Sequence, residues 1–338
     1  MPRITLTQLL NIFLIVLLNV LNGLVPYNSV EYGEKIEYIN LLVPESIPLL
    51  SNISFKETSN ITYGPQIKGI VTDQIIVGSD TTESEKNIKD LQISAESYLI
   101  LDVGSSSILI EKNSRLPLYP ASSIKMMTAL VARDLYNLDD EVTIDERSLT
   151  EGHIIGLRLG EKLTVRKLLM GMLISSGNDS ALALAAYYPD GVEKFVEKMN
   201  DKAAELNLTN SYFHNPAGLD STWQRSTARD LAIMARELIK DPFFKELIAI
   251  EEVVVTDEQG KISHKFINTN ALLGKMAGVK GVKTGTTPLA GQVLVTLVDR
   301  SNHSYIIVLM NSKQRYNDTR QLIKYIDESY SWVDYELP

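Results

Sequence analysis

Ser122-Ser123-Ile124-Lys125, Ser176-Gly177-Asn178 and Lys283-Thr284-Gly285 occur once each, in that order, in a chain of 338 residues. Any one of the three is cheap. A serine and a lysine three apart arise by chance in most chains of this length, and Ser-Gly-Asn alone reads as a plain turn. The conjunction is not cheap, because it asks the fold to bring three distant segments to one place, and it points to a serine nucleophile served by lysines. Local context agrees: Tyr119-Pro120-Ala121 leads into the first serine, the apolar run Met126 to Val131 follows it, and Val282 precedes the last lysine.

A serine hydroxyl is a weak nucleophile until a neighbouring base takes its proton. Ser122 and Lys125 share one face of a helix at a spacing of three, whereas the residue three beyond Ser123 is Met126. Lysine acts as a base only when neutral, and burial together with a second nearby cation lowers its pKa. Lys283 is the expected second cation. Gly177 is expected to take an unusual backbone geometry between Ser176 and Asn178, so that both polar side chains face one cleft.

The length allows one large catalytic domain plus something extra, and not two full domains of that size. A formal net charge of −9 without any basic run argues against a nucleic-acid partner. There is no cysteine, so disulfides and thiolate chemistry are excluded, while the redox compartment stays undetermined. His153, His214, His264 and His303 are scattered without a ligand spacing, so no metal site is expected. Residues 4–30 carry no charge, and the dense apolar stretch Leu9 to Val25 nearly has the length of a bilayer span. Arg3 lies before it and Glu31, Glu34 and Glu37 after it, which predicts a single N-terminal span with the remainder outside the cytoplasm. No small-x-small cleavage site follows, so residues 1–25 are read as a retained anchor in preference to a cleaved signal peptide.

Residues 26–90, rich in Ser, Thr, Asn, Gly and Pro, read as a polar spacer, with short β-branched patches able to form a strand or two. A catalytic domain is expected over 91–338. Tyr98 to Val103 and Ile108 to Glu111 read as a strand pair. The centre is helical: Thr164 caps Val165 to Ile174, Ser180 to Tyr188 is rich in Ala and Leu, Val192 to Leu206 is amphipathic, and Ser226 or Thr227 caps a helix to about Ile239. Gly281 to Lys283, Gln292 to Val298 and Tyr305 to Leu309 read as an antiparallel meander, closed by a helix from Asp318 to Trp332. Strands at both ends around helices give an α+β fold, in which the N-terminal pair must join the C-terminal meander to bury enough surface.

From about Leu91 to Trp332 the chain resembles the D-alanyl-D-alanine carboxypeptidases, the low-molecular-weight penicillin-binding proteins of the serine β-lactamase/transpeptidase-like superfamily. The three strings carry the resemblance, together with Phe213-His214-Asn215-Pro216-Ala217-Gly218-Leu219-Asp220 and Ser226-Thr227-Ala228-Arg229-Asp230-Leu231-Ala232. It implies an antiparallel sheet flanked by terminal helices on one side and a mostly helical insert on the other, with the site between. It further implies catalytic roles for Ser122, Lys125, Ser176 and Asn178, with Ser176 relaying protons with Lys125 and Asn178 positioning the substrate amide. Lys283, Thr284, Gly285 and Thr286 would bind substrate: Lys283 by charge, Thr284 through a hydroxyl for the terminal carboxylate, Gly285 by close approach. The backbone N–H groups of Ser122 and Thr286 would form the oxyanion hole. A further basic residue would hold the substrate carboxylate; Lys313, Arg315 and Arg229 are the choices, with Arg315 read as a solvated surface charge.

The activity so implied is hydrolysis of the terminal D-Ala-D-Ala bond of a peptidoglycan stem peptide through a Ser122 acyl-enzyme that β-lactams would trap, with no cofactor and with a role in the cell wall. A D,D-endopeptidase acting on cross-linked peptidoglycan has the same motifs and stands as an alternative. A β-lactamase is disfavoured because Glu205-Leu206-Asn207 lacks the Glu-x-x-Leu-Asn spacing. A non-enzymatic β-lactam or peptidoglycan sensor is the reading from another class.

Overall fold

The computed structural model describes residues 65–67, 91–300 and 303–332. The segment read as an anchor, and nearly all of the stretch read as a spacer, lie outside them. The described residues fall within the unit Ile61–Pro338.

In chain order, β1 (Pro65–Ile67) comes from the stretch read as spacer, and β2 (Ser97–Asp102) and β3 (Ile108–Lys112) form the expected strand pair. A 3-10 turn, Ala121–Ile124, runs straight into α1 (Lys125–Leu135). The short strands β4 (Glu141–Thr143) and β5 (Lys162–Thr164) pair antiparallel and enclose a loop, 149–161. The helical centre follows as α2 (Val165–Ile174), α3 (Asn178–Ala186), α4 (Gly191–Glu205), α5 (Ala228–Leu238) and the short α6 (Pro242–Leu247). Thr164 and Thr227 cap α2 and α5 by accepting from the Lys167 and Asp230 amides, and Asp241 caps α6. A hairpin of β6 (Glu252–Thr256) and β7 (Ser263–Ile267) leads to the meander β8 (Val279–Thr287), β9 (Gly291–Arg300) and β10 (His303–Ser312). The chain closes with α7 (Arg315–Ser329) and β11 (Tyr330–Trp332), the latter paired antiparallel with β1.

The closing helix thus starts three residues before the expected Asp318 and ends at Ser329, not Trp332. Tyr330 donates its hydroxyl to the Leu109 carbonyl at 2.7 Å, and the Trp332 indole N–H donates to Asp102 at 2.7 Å. Two aromatic side chains that would continue an amphipathic helix instead reach the β2–β3 edge, and extended backbone is what lets them do so.

The main sheet has the order β3-β2-β10-β9-β8 with antiparallel pairing throughout. The N-terminal pair therefore joins the meander through β2 against β10, as its small burial area demands. Both faces of the sheet are covered, and strand parity divides them. Ile306, Val308 and Met310 of β10 face the helical centre with Leu99, Val293 and Val295. Tyr305, Ile307 and Leu309 face α7 with Ile100, Leu294, Leu322, Ile323 and Ile326. Continuous apolar runs in β9 and β10 follow from that double burial. Among the described residues α7 is the helix on that second face. Strand β8 is left at the edge, its free side turned toward the 3-10 turn that carries Ser122.

Candidate active site

Ser122 sits partly exposed in the 3-10 turn, and Lys125, the first residue of α1, lies one turn on and fully buried. Lys125 Nζ is surrounded by three oxygens: Ser122 Oγ at 2.8 Å, Asn178 Oδ1 at 2.7 Å and the Ala217 carbonyl at 2.7 Å. A neutral amine has two N–H groups and one lone pair. Asn178 Oδ1 and the Ala217 carbonyl accept the two N–H groups, and the lone pair is then aimed at the serine hydroxyl. Burial pushes the Lys125 pKa well below the ordinary lysine value; the Lys283 charge adds to this, and Asp179 opposes it. The neighbouring Ser123 is buried and spends its hydroxyl on the Pro120 carbonyl at 2.6 Å.

Ser176 and Asn178 occupy the turn between α2 and α3, as their spacing predicts, but the glycine between them plays a different part. The left-handed residue is Ser176, with φ of 61°, while Gly177 has φ of −57°. Gly177 is small because it is crowded: a Cβ there would lie 2.9 Å from both Asp179 Oδ1 and Ile155 Cγ2. The serine hydroxyl is also partnered differently from expectation. Ser176 Oγ accepts from Lys283 Nζ at 2.7 Å, so the hydrogen bond observed for Ser176 is to the second lysine and not to Lys125.

Strand β8 delivers Lys283, Thr284, Gly285 and Thr286. Lys283, 1% exposed, is held down to a pKa of about 7 by burial first and by Arg315 second. The Thr284 hydroxyl shares a hydrogen bond of 2.6 Å with Thr269. Thr286 is exposed at the cleft. A Cβ on Gly285 would lie 2.8 Å from Ala121 Cβ and 2.9 Å from Ser122 N, so only glycine lets the strand run this close to the serine. From the opposite side Gly218 closes on the same turn: its φ is +86°, and a Cβ would sit 2.2 Å from the Ala121 carbonyl oxygen. Ala121 itself has φ of 48°, a left-handed alanine directly before the serine.

Of the basic residues considered for a carboxylate, Arg315 is the one at the site. Its Nη1 donates to the Gly285 carbonyl and to Thr286 Oγ1, both at 2.8 Å, and its guanidinium lies 4.9 Å from the Tyr316 ring centre. The reading of Arg315 as a solvated charge is therefore corrected. It begins α7, and sequence spacing says nothing of where a helix start lands relative to a strand 30 residues earlier. Lys313 is exposed, and Arg229 is half-buried at the start of α5.

Asp179 escaped the sequence reading. Its buried carboxylate accepts from the Ile155, Gly156 and Leu157 amides at 3.1, 2.9 and 3.1 Å and from the Ser180 amide at 2.9 Å. It thereby holds the loop 149–161 over the Ser-Gly-Asn turn. Its position directly after Asn178, in the first turn of α3, was the available signal. Among the described residues no group of three or more His, Asp or Glu could hold a metal ion.

Residues 81–314 match the peptidase S11 family, D-alanyl-D-alanine carboxypeptidase. The chain is 34% identical over 254 residues to the D-alanyl-D-alanine carboxypeptidase DacF of Bacillus subtilis, covering 73% of this chain and 64% of the relative. It is 32% identical over 258 residues to DacC of Escherichia coli, covering 71% and 63% respectively. The chain thus spans a little under two thirds of the length of these relatives. Among solved structures, the DD-transpeptidase of Streptomyces K15 superposes with a TM-score of 0.66 at 30% identity over 69% of this chain and 97% of that one. The D-alanyl-D-alanine carboxypeptidase of Mycobacterium tuberculosis superposes with a TM-score of 0.66 at 28% identity, over 72% and 96%. The α+β fold is that of these neighbours.

Proposed function

This chain belongs to the D-alanyl-D-alanine carboxypeptidase family, and from that premise we propose that it removes the terminal D-alanine of peptidoglycan stem peptides through an acyl-enzyme on Ser122. The observation that carries the reading is the position of Lys125 Nζ, 2.8 Å from Ser122 Oγ, with its two other oxygen partners fixed. The neutral lysine takes the hydroxyl proton as Oγ bonds to the penultimate carbonyl carbon. The resulting oxyanion is received by the Ser122 and Thr286 N–H groups. The C–N bond breaks, the nitrogen leaves as the D-alanine amine with the proton returned from Lys125, and water then hydrolyses the ester by the reverse traffic.

The substrate lies extended along the free edge of β8, its main chain pairing as an added strand. Its terminal carboxylate faces Thr284 and Arg315, with Lys283 and Ser176 completing the positive end of the site. Asn178 orients the penultimate amide while its Oδ1 steadies Lys125. A β-lactam presents the same carbonyl and carboxylate and acylates Ser122. A D,D-endopeptidase on cross-links uses the same residues and differs in the leaving amine.

The enzyme acts outside the cytoplasm, where its substrate is assembled, tethered through residues 1–25 with 26–90 as spacer. No helix among the described residues is long and apolar enough to cross a membrane, so the tether rests on the charge asymmetry about the N-terminal apolar run. The deciding experiment incubates the protein with a fluorescent penicillin and maps the label, then assays D-alanine release from a linear pentapeptide against a cross-linked muropeptide. Label on Ser122 with D-alanine release supports the carboxypeptidase; no label, or cleavage of the cross-link alone, overturns it.

A further inference from the structure

Behind the Ser-Gly-Asn turn, the β6–β7 hairpin meets the loop 149–161 through a buried pair that the proposed chemistry does not use. His264, on β7, places Nε2 2.5 Å from Glu161 Oε1 and Nδ1 3.3 Å from the Ile155 carbonyl. The side chains are 6% and 0% exposed. Glu161 Oε2 also accepts from the Arg158 amide at 2.9 Å, so one carboxylate ties together both ends of the loop's last turn. Both ring nitrogens face oxygens, one of the loop backbone and one of the Glu161 carboxylate. A pair with this little solvent contact is costly to break from either side, because the partner left behind is buried alone.

The loop it fastens is the one that holds Asn178. The Asn178 backbone N–H donates to the His153 carbonyl at 2.7 Å, and its side-chain amide donates to the Glu151 carbonyl at 3.2 Å. The Asn178 Nδ2 bond leaves Oδ1 pointing at Lys125 Nζ, because an amide that fixes one end by donation fixes the other. Two independent supports bear on the loop: Asp179 from α3, through the Ile155, Gly156 and Leu157 amides, and the His264–Glu161 pair from the hairpin, through Ile155 and Arg158.

We infer that His264 and Glu161 are positioning residues that clip the loop 149–161 to the β6–β7 hairpin and, through the His153 and Glu151 carbonyls, hold the Asn178 side chain against Lys125. The inference rests on the acylation chemistry proposed above. It assigns to the hairpin a part in setting the acylation rate although neither residue touches Ser122 or Lys125. Displacing a side chain at the reacting centre by about 1 Å costs of the order of a hundredfold in rate, so a loosened loop is expected to slow acylation by about ten- to a hundredfold.

The test is a double-mutant cycle on the full chain, read as the second-order rate of acylation by a fluorescent penicillin. The variants are His264→Gln, Asn178→Ser and the two combined. Expected is a slowing of about tenfold or more for His264→Gln, and no additional slowing when it is placed on Asn178→Ser, because the clip acts through that side chain. Multiplying losses in the double variant, or a wild-type rate in His264→Gln, overturns the inference. If His264→Gln does not fold, the same cycle is run with Glu161→Gln, which keeps the shape and an acceptor oxygen, and the same two outcomes decide. A wild-type protein that takes no label at all refutes the acylation chemistry itself, a result distinct from a labelled wild type with additive variants.

Discussion

Lys283 donates to the Ser176 hydroxyl at 2.7 Å, while Lys125, the other buried lysine among the described residues, is engaged by Ser122 and Asn178. The two amines thus divide the three motifs between them. Burial first and the Lys283 charge second lower the Lys125 pKa, which fits the proposed division of a base at 125 from a charge at 283.

Ser122→Ala is expected to abolish labelling by a fluorescent penicillin, and Ser123→Ala to leave it largely intact. The Ser123 hydroxyl is spent on the Pro120 carbonyl, so its loss costs about 1 kcal/mol of stability without touching the chemistry. Label recovered on Ser123 or Ser176 in peptide mapping contradicts the assignment.

Lys125→Ala is expected to stop acylation, and Lys283→Arg to retain part of it, since charge is wanted at 283 and basicity at 125. The pH profile separates the two roles. Lys283, with a pKa of about 7, loses its charge as pH rises through that value, which gives the acylation rate constant an alkaline limb near pH 7. Arginine does not deprotonate in this range, so Lys283→Arg should move that limb upward. An unmoved limb assigns it to another group.

The same shift predicts a slope in stability. Lys283 is held near 7 in the folded chain against 10.5 for an ordinary lysine, so between those values the unfolded chain binds more protons. Unfolding free energy therefore gains from this group as pH rises from 7 to 10.5, and loses that gain as pH falls back through 7. Lys283→Met removes the contribution, and its melting temperature, followed by circular dichroism across this window, should rise less steeply with pH than that of the wild type.

Gly218→Ala places a Cβ 2.2 Å from the Ala121 carbonyl oxygen at a left-handed position. The turn carrying Ser122 must shift, and acylation is expected to fall by about a hundredfold. Measuring the acylation rate and the melting temperature together tests this: an unchanged rate means that the turn accommodates the methyl group elsewhere.

Asp179→Asn keeps the shape but takes the charge from a carboxylate that four backbone amides address. A loss of about 2–3 kcal/mol in denaturant unfolding is expected, since hydrogen bonds to a charged acceptor are the stronger ones. A loss below 0.5 kcal/mol, on the scale of an ordinary surface substitution, would mean that the loop is held by other contacts.

A chain begun at residue 88 keeps every strand of the five-stranded sheet and gives up the three-residue pairing of β1 with β11. It is expected to fold and bind penicillin. Insolubility of that chain, beside good behaviour of one begun at Tyr27, would place the spacer within the fold.

Local rules were enough for what lies within one turn or one strand. The spacing of Ser122 and Lys125, the Thr164 cap, the choice of Ser226 or Thr227 as the next cap, and the strand-like run Tyr305 to Leu309 depend on neighbours a few residues away, and are legible in the sequence. The hydroxyl partner of Ser176 lies 107 residues along the chain, and the Arg315 contacts with Gly285 and Thr286 depend on how α7 leaves β10 beside the sheet edge. Gly177 shows the limit most plainly: its type was readable as special, but the reason is crowding by Ile155 and Asp179, brought there by a loop anchored elsewhere, and not its own φ. The His264–Glu161 pair likewise spans 103 residues. Such contacts come into being only when the sheet and the helical centre have closed on one another, because which side chains meet across that junction is set by packing at a distance and not by any local preference of the chain.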